Sequence, residues 1–197
     1  NTIILNQPGG YSGSRSSPVQ IPGTDWTAAE VNPYVGMGIK SSDQLWMWGR
    51  NYYGQLGQNV SGDGTGSYFS SPVQIPGAWK SDVDTWSFAA ETSAAIKTNH
   101  ELYSWGHNEY GNLGLNNTTD YSSPTQIPGS WSTVTIGYYA SRGIKTDGTL
   151  WGWGINRFGG LGQNNETYYS SPVQIPGTTW AKTGGKAGQG FGIKTDG

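Results

Sequence analysis

The chain contains no cysteine and few charged residues, and both shortages narrow its chemistry. Without cysteine there can be neither a disulfide nor a thiolate metal site. Lysine and arginine number 11 against 13 acidic residues, with no block of like charge, so the basic stripe that neutralises nucleic-acid phosphates is missing. No apolar run approaches the roughly 18–20 residues that span a bilayer. The sequence therefore predicts neither a nucleic-acid partner nor a membrane partner.

The chain also lacks an initiating methionine and a signal-like apolar segment, so we expect its N-terminus to be processed or truncated. Glycine and tryptophan are abundant instead, at 32 and 10 residues among 197. Glycines permit many turns, and tryptophans supply a large apolar area per residue. This combination is typical of numerous short strands joined by tight turns, in a chain long enough for one domain with a substantial core.

Three motifs recur in the same order along the chain. Ser-Ser-Pro-x-Gln-Ile-Pro-Gly occurs four times, with a period of about fifty residues. An Ile-Lys pair and a Leu-(Trp/Tyr)-x-Trp-Gly block alternate with it, and the latter runs into Asn-x-(Tyr/Phe)-Gly-x-Leu-Gly. The sequence thus predicts one repeat domain over residues 1–197, with repeats at approximately 1–40, 41–97, 98–145 and 146–197. The four Ser-Ser-Pro blocks begin at Ser16, Ser70, Ser122 and Ser170, and the Ile-Lys pairs at Ile39, Ile96, Ile144 and Ile193.

Each repeat reads as strands and turns. Asp147-Gly148 lies between two β-prone runs, which is a strong hairpin signal. Asn99-His100 and Ser42-Asp43 take the equivalent place in other repeats. The Pro-x-Gln-Ile-Pro segment is compatible with a sheet edge, where proline does not break a hydrogen-bond ladder. Three or four strands per fifty residues is the content of one propeller blade.

The segment 144–162, together with the Ser-Pro-x-x-(Ile/Val)-Pro segment that follows it, resembles the repeat of the regulator of chromosome condensation family. The resemblance implies an all-β fold of propeller blades. Members of that family form seven-bladed propellers; some exchange nucleotides on a small GTPase, one bacterial type inhibits β-lactamases, and many are interaction modules. This chain departs from the pattern in length, with about four repeats. It also lacks the histidine that the family often carries before the Ile-Lys strand, where it has Val35, Thr92, Ala140 and Gln189.

Four repeats leave the closure of the ring open. Thr2–Leu5 is a candidate for the strand that follows Asp196-Gly197, which would make a small closed ring whose last blade combines both ends. The alternative is an arc of a larger ring, and it is favoured because Thr2–Leu5 lacks the Trp-x-Trp-Gly pattern. Two arcs joined as a dimer are a third arrangement. Open blade edges would allow homo- or hetero-oligomers.

The tryptophans that recur at the repeat period are predicted to form the core, because each blade must bury an equivalent face. These core residues are Trp48, Trp105 and Trp153. Catalysis is not predicted, since no nucleophile, metal or phosphate-binding motif is present and the two histidines, His100 and His107, stand apart from any such pattern. No cofactor and no metal are predicted.

Binding is expected where the copies differ, in the segments between the Leu-Gly and Ser-Ser-Pro blocks. The first is the longest and carries the polar tip Val60–Gly66. Tyrosine among serine, glycine and asparagine is typical of adaptable recognition loops. The alternative is that these rings pack beneath the loops. The candidate binding residues are Tyr52, Tyr53, Asp63, Tyr68, Phe69, Tyr110, Tyr121, Phe158, Tyr168 and Tyr169.

These observations predict a non-enzymatic propeller that presents loops to a protein or a glycan. The near-neutral, Asn/Gly/Ser/Tyr-rich composition favours an extracellular or virion surface, by compositional analogy. Two alternatives stay open: a guanine-nucleotide exchange factor for a small GTPase, which the family resemblance implies, and an architectural subunit of a multichain assembly.

Overall fold

The structure is a computed structural model that describes residues 4–5, 19–62, 68–186 and 189–195. Every element in these ranges is a strand, and every strand pairing is antiparallel. In chain order the strands are β1 (Ile4–Leu5), β2 (Val19–Gln20), β3 (Trp26–Val31), β4 (Val35–Lys40), β5 (Leu45–Arg50), β6 (Tyr68–Ile75), β7 (Trp86–Phe88), β8 (Thr92–Ile96), β9 (Leu102–Gly106), β10 (Tyr121–Ile127), β11 (Trp131–Ile136), β12 (Ala140–Lys145), β13 (Leu150–Gly154), β14 (Tyr169–Ile175), β15 (Trp180–Lys186) and β16 (Gln189–Lys194).

Twelve of these strands form three four-stranded meanders, which we call blade 1 (β3–β6), blade 2 (β7–β10) and blade 3 (β11–β14). The first strand β11 packs against both β7 and β15, the first strands of the neighbouring units, so these first strands are the inner ones. The fourth strand carries the Ser-Ser-Pro block and forms the outer edge, where its proline interrupts no further ladder. The predicted propeller blades are confirmed.

The two remaining strand pairs correspond to halves of a blade. β1 pairs with β2 as a third strand pairs with a fourth, with Ile4 opposite Gln20, as Trp46 lies opposite Gln74 in blade 1. β15 pairs with β16 in the register of a first and second strand. Among the described residues no hydrogen-bonded pairing joins β1 to β16, so the described strands form three complete blades and two half-blades. The small closed ring and the arc of a larger ring both stay predictions.

The hairpin between the second and third strands follows the predicted turn in each blade. The amides of Asp43, His100 and Gly148 donate to the carbonyl of the preceding Ile-Lys lysine at 3.1, 2.9 and 3.0 Å. All three residues have a positive φ, of 58°, 71° and 80°. Because aspartate and histidine tolerate this left-handed conformation better than most side chains, the turn keeps its geometry while its sequence varies.

The core lies between neighbouring blades and is organised by backbone carbonyls of the Gly-x-Leu-Gly segment. The Gln55 carbonyl of blade 1 accepts hydrogen bonds from Trp105 Nε1 and Ser93 Oγ of blade 2, both at 2.9 Å. The Asn112 carbonyl of blade 2 is bound in the same way by Trp153 and Ser141 of blade 3, at 2.9 and 2.8 Å. An indole thereby joins blade 1 to blade 2, and another joins blade 2 to blade 3. The third-strand tryptophans Trp48, Trp105 and Trp153 are 2%, 0% and 0% exposed.

The corresponding carbonyl of blade 3, that of Gly160, is bound differently. It accepts from Arg142 Nη2 at 2.7 Å, and Arg142 Nη1 also donates to the Gln189 carbonyl at 3.3 Å. The guanidinium lies directly over Gly190, where no side chain would fit. Burial between blade 3 and β16 lowers the pKa of Arg142. Here the donor to this carbonyl is a buried arginine of blade 3 itself, whereas at the two preceding interfaces it is an indole of the following blade.

Candidate binding face

The glycine of the Trp-Gly motif brings two loops together at one end of every blade. Its φ is 107°, 103° and 98° at Gly49, Gly106 and Gly154, and a Cβ there would lie within 2.3 Å of the carbonyl oxygen of the residue preceding the second strand. Only glycine permits this approach. The amide that follows each glycine donates to that same carbonyl: Arg50 to Tyr34 at 2.8 Å, His107 to Glu91 at 2.8 Å and Ile155 to Tyr139 at 2.9 Å.

Tyrosines concentrate on these paired loops, and we call the surface they form the tyrosine face. Their rings contact one another within and between blades: Tyr52 and Tyr53 at 5.7 Å, Tyr110 and Tyr139 at 5.1 Å, and Tyr138 and Tyr139 at 4.3 Å between centroids. Several rings keep about half of their surface accessible. The face consists of Tyr34, Tyr52, Tyr53, Tyr110, Tyr138, Tyr139 and Tyr168, of which Tyr34, Tyr138 and Tyr168 are 48%, 45% and 45% exposed.

A small ion cluster lies among these rings at the boundary of blades 1 and 2. Glu91 Oε1 is 3.9 Å from Arg50 Nη1, and its Oε2 is 3.4 Å from His107 Nδ1. The Arg50 guanidinium lies 5.5 and 5.2 Å from the ring centroids of Tyr34 and Tyr52. The His107 ring stacks on Tyr53 at 4.2 Å. Aromatic and charged groups of two blades therefore form one continuous surface.

The carboxylates on this face act on neighbouring phenols. The charge of Glu91 is the largest of the effects that raise the pKa of Tyr138, followed by desolvation. The charge of Glu109 raises the pKa of Tyr110 in the same way. In both cases a loop carboxylate lies near enough to the phenol to disfavour its ionised form.

The structure separates the predicted binding residues into groups. Tyr52, Tyr53, Tyr110 and Tyr168 lie on the tyrosine face. Their role in binding stays a prediction. Elsewhere, Phe158 is 79% exposed beside Arg157, Tyr68 is 63% exposed at the start of β6, and Phe69 packs partly against the core of blade 1. Tyr121 and Tyr169 are half-buried, and their hydroxyls accept from the amides of Asn117 and Asn165 at 3.1 and 2.9 Å. Asp63 lies outside the described residues.

Sequence reasoning did not single out the loop that precedes the second strand. Tyr34, Glu91 and Tyr139 hold equivalent positions there, immediately before Val35, Thr92 and Ala140. Tyr138 adds a further ring from the same loop. These residues could have been found in the sequence, because they differ from repeat to repeat at a fixed position of an otherwise regular pattern.

Asparagines of the Asn-x-(Tyr/Phe)-Gly motif hold the second loop of each pair in shape. Asn108 is fully buried; its Oδ1 accepts from the Leu113 amide at 2.9 Å, and its Nδ2 donates to the carbonyls of Asn117 and Thr119 at 3.0 and 2.9 Å. Asn156 makes equivalent bonds in blade 3. The loops that carry Tyr110 and Phe158 are therefore supported by buried amides.

A cleft of about 380 Å³ lies between blades 1 and 2. It is lined by Gln58, Pro76, Trp79, Tyr103 and Pro124, among others. Its Trp79 wall is 1% exposed, because Trp79 packs in the core against Trp105 and Tyr103. Lys97 Nζ lies 5.6 Å from that ring and 4.2 Å from the ring of Tyr103. The cleft thus offers less accessible aromatic surface than the tyrosine face.

The described ranges contain no group of three or more histidine, cysteine, aspartate or glutamate side chains placed to hold a metal ion. The same ranges contain no helix with the length and apolar character needed to cross a membrane.

The radial stacking of four-stranded meanders, joined by indole hydrogen bonds, defines these sheets as the blades of a β-propeller. The family model for the regulator of chromosome condensation (RCC1) repeat matches residues 42–96, 99–141 and 147–182, which is more than half of the chain. The chain belongs to this repeat family.

The individual proteins that resemble this chain match it over part of their own length. The chain is 35% identical to the serine/threonine-protein kinase Nek9 of Xenopus laevis over 89 residues, which are 45% of this chain and 9% of the kinase. Human WBSCR16 superimposes with a TM-score of 0.76 at 17% identity, over 95% of this chain and 50% of that one. Yeast RCC1 (Prp20), solved bound to Kap60, superimposes with a TM-score of 0.75 at 17% identity, over 90% of this chain and 44% of that one. The chain thus spans only part of the length of the proteins it matches.

Proposed function

We propose that this chain is a non-enzymatic binding module whose tyrosine face contacts a protein partner. The observation that carries the proposal is the gathering of seven tyrosines on paired loops at one end of the blades, with three rings about half exposed. Tyrosine and arginine are the residues in which the energy of protein interfaces concentrates, because large rigid rings bury much area at low entropic cost. The yeast RCC1 likeness adds a related fold that was solved bound to another protein, Kap60.

The polar groups on the face suit binding better than catalysis. His107 is the histidine nearest to a carboxylate, but its ring stacks on Tyr53 and its Nδ1 is directed at Glu91. Its carbonyl accepts from Thr92 Oγ1 and Asn112 Nδ2 at 3.1 and 2.8 Å. These contacts hold the imidazole as part of a packed surface. General base catalysis needs a base aimed at a nucleophile or at substrate.

The long loop that follows β5 borders the same face. The Val60 carbonyl accepts from Asn51 Nδ2 at 2.9 Å, and the Gly62 amide donates to the Tyr52 carbonyl at 2.8 Å. The loop therefore starts beside Tyr52, and the rest of its tip, at 63–67, lies outside the described residues. In this proposal the described start of the loop, up to Gly62, forms part of the rim, and the protein acts at a particle or cell surface, as the composition favours.

Photo-crosslinking tests the protein-binding proposal. A photoreactive phenylalanine analogue replaces Tyr34 in one protein and Val83, which is 64% exposed and lies away from the face, in a second. Each is irradiated in an extract of the source cells. We expect discrete crosslinked proteins from position 34 alone, and excess wild-type chain should prevent the crosslinks. The double variant Tyr34→Ser/Tyr138→Ser, with an unchanged melting temperature, should not compete. Equal crosslinking at both positions, or competition by the variant, contradicts the proposal.

Three alternative functions are tested by separate measurements. A glycan array distinguishes a glycan ligand from a protein. Accelerated release of labelled GDP from small GTPases would favour the exchange-factor function that family membership suggests. Native mass spectrometry of the isolated chain separates an obligate assembly subunit from a monomeric module.

A further inference from the structure

Glu91 is the most enclosed charge on the tyrosine face, and its ion pairs are loose. Its side chain is 17% exposed, and its distances of 3.9 Å to Arg50 and 3.4 Å to His107 exceed the 2.7–2.9 Å or so of a tight charge-assisted hydrogen bond. The carboxylate therefore keeps negative potential that its neighbours do not fully neutralise. The raised pKa of Tyr138 agrees with this, because Glu91 is its first cause.

The rings around Glu91 are accessible and electron-rich. Tyr34 and Tyr138 come from equivalent loops of blades 1 and 3, and both are close enough to half exposed for a ligand to reach their faces. Arg50 already lies over Tyr34 and Tyr52 at 5.5 and 5.2 Å, so this surface accommodates a guanidinium within its own structure. A cation is attracted to an aromatic face within about 6 Å of the centroid.

The repeated lysines lie at the opposite end of the blades. Lys40, Lys97 and Lys145 lie at the end of the second strand of each blade, whereas the tyrosine face is at the start of that strand. A strand of six residues spans roughly 20 Å. The Debye length at physiological salt is about 8 Å, so the positive charge of these lysines is screened from the tyrosine face. At the tyrosine face, Glu91 and Glu109 therefore supply two negative charges beside the aromatic rings, against the one positive charge of Arg50.

We propose that the tyrosine face binds a cationic side chain, an arginine or a lysine, on an extended segment of the partner protein. Glu91 supplies the opposite charge, and the rings of Tyr34 and Tyr138 contact the cation and its alkyl stem. The combination of a carboxylate with accessible aromatic rings is the chemistry by which proteins recognise ammonium and guanidinium groups. This inference rests on the proposed function and names the chemistry of the partner.

The probe is a fluorescein-labelled Gly/Ser peptide with regularly spaced arginines. A second peptide carries citrulline, which has the same shape without the charge, and a third carries glutamate. Fluorescence anisotropy with the wild-type chain should show binding of the arginine peptide alone, weakening as salt is raised because the attraction is screened. Glu91→Gln should weaken binding about tenfold, and Tyr34→Leu/Tyr138→Leu, which keeps apolar area but removes the π faces, should also weaken it about tenfold.

Asp82→Asn is the matched control, because Asp82 is an exposed carboxylate on a loop away from the face, and its removal should leave affinity unchanged. Circular dichroism melting confirms that each variant is folded. Binding of the citrulline peptide as tight as that of the arginine peptide overturns the inference. So does equal weakening by Glu91→Gln and Asp82→Asn, which would indicate unspecific attraction. If the arginine peptide does not bind while the crosslinks from position 34 persist, the partner is not cationic, and the protein-binding proposal stands.

Discussion

Ser93 and Trp105 of blade 2 donate to the same backbone carbonyl of blade 1, that of Gln55, each at 2.9 Å. All three residues are fully buried. We predict that removing either donor weakens the interface between the blades, and that removing both costs more than the two single losses together. The variants are Ser93→Ala, Trp105→Phe and their combination.

The magnitudes follow from what each change leaves behind. Ser93→Ala removes one buried neutral hydrogen bond and should cost about 1 kcal/mol. Trp105→Phe removes the other bond and part of a fully buried ring, so we expect about 2–3 kcal/mol. The double variant leaves the Gln55 carbonyl without a donor in a buried site. Because an unsatisfied buried acceptor costs about 1–3 kcal/mol, the coupling energy should be about 1 kcal/mol beyond the sum.

Urea unfolding followed by far-UV circular dichroism measures the four free energies of unfolding. Ser81→Ala, at an exposed serine of blade 2, is the control and should stay within about 0.5 kcal/mol of wild type. In thermal melts Ser93→Ala should lower the midpoint by about 2–4 °C. If Ser93→Ala costs no more than Ser81→Ala, or if the costs of the two changes simply add, the shared carbonyl does not join the blades and the reasoning fails.

Three more outcomes are expected. Gly54→Ala should destabilise the chain by about 1–3 kcal/mol more than Gly159→Ala in urea unfolding. Both glycines have a positive φ, so both substitutions strain the backbone. A Cβ at Gly54 would in addition lie 2.5 Å from the backbone of the next blade, whereas the atom nearest to a Cβ at Gly159 is 3.8 Å away. Asn108→Ala leaves one buried amide and two carbonyls without their partner, and it should lower the melting temperature by roughly 5–10 °C; an unchanged melt would contradict the role of that amide. Glu91→Gln should lower the pKa of Tyr138 in an NMR titration, because the negative charge that disfavours the phenolate is removed. An unchanged pKa would show that Glu91 does not act on Tyr138.

Local features of the fold could be predicted from short runs of consecutive residues. The hairpin at Asp147-Gly148 and its counterparts were predictable because a tight turn depends on the φ values that a few neighbouring residues can adopt. The place of Pro72 and its equivalents on an outer strand followed from the missing amide of proline.

The tyrosine face was only partly predictable. Tyr52, Tyr53, Tyr110 and Tyr168 were among the candidates, but so were Tyr121 and Tyr169, whose hydroxyls bind asparagine amides within their own loops. All six stand in similar glycine- and asparagine-rich sequence. Whether such a ring is accessible depends on which neighbour lies against it, and composition does not carry that information.

The period of the motifs was enough to establish repeated sheets of one kind, since a pattern of turns and alternating large residues acts within each fifty-residue unit. Tertiary structure alone showed that β1 pairs with β2, that Tyr53 meets His107 and that Tyr110 meets Tyr139. These contacts join residues of successive blades or strands far apart in the chain. Their formation depends on how the blades are rotated and spaced, which is a property of packing and leaves no local signal.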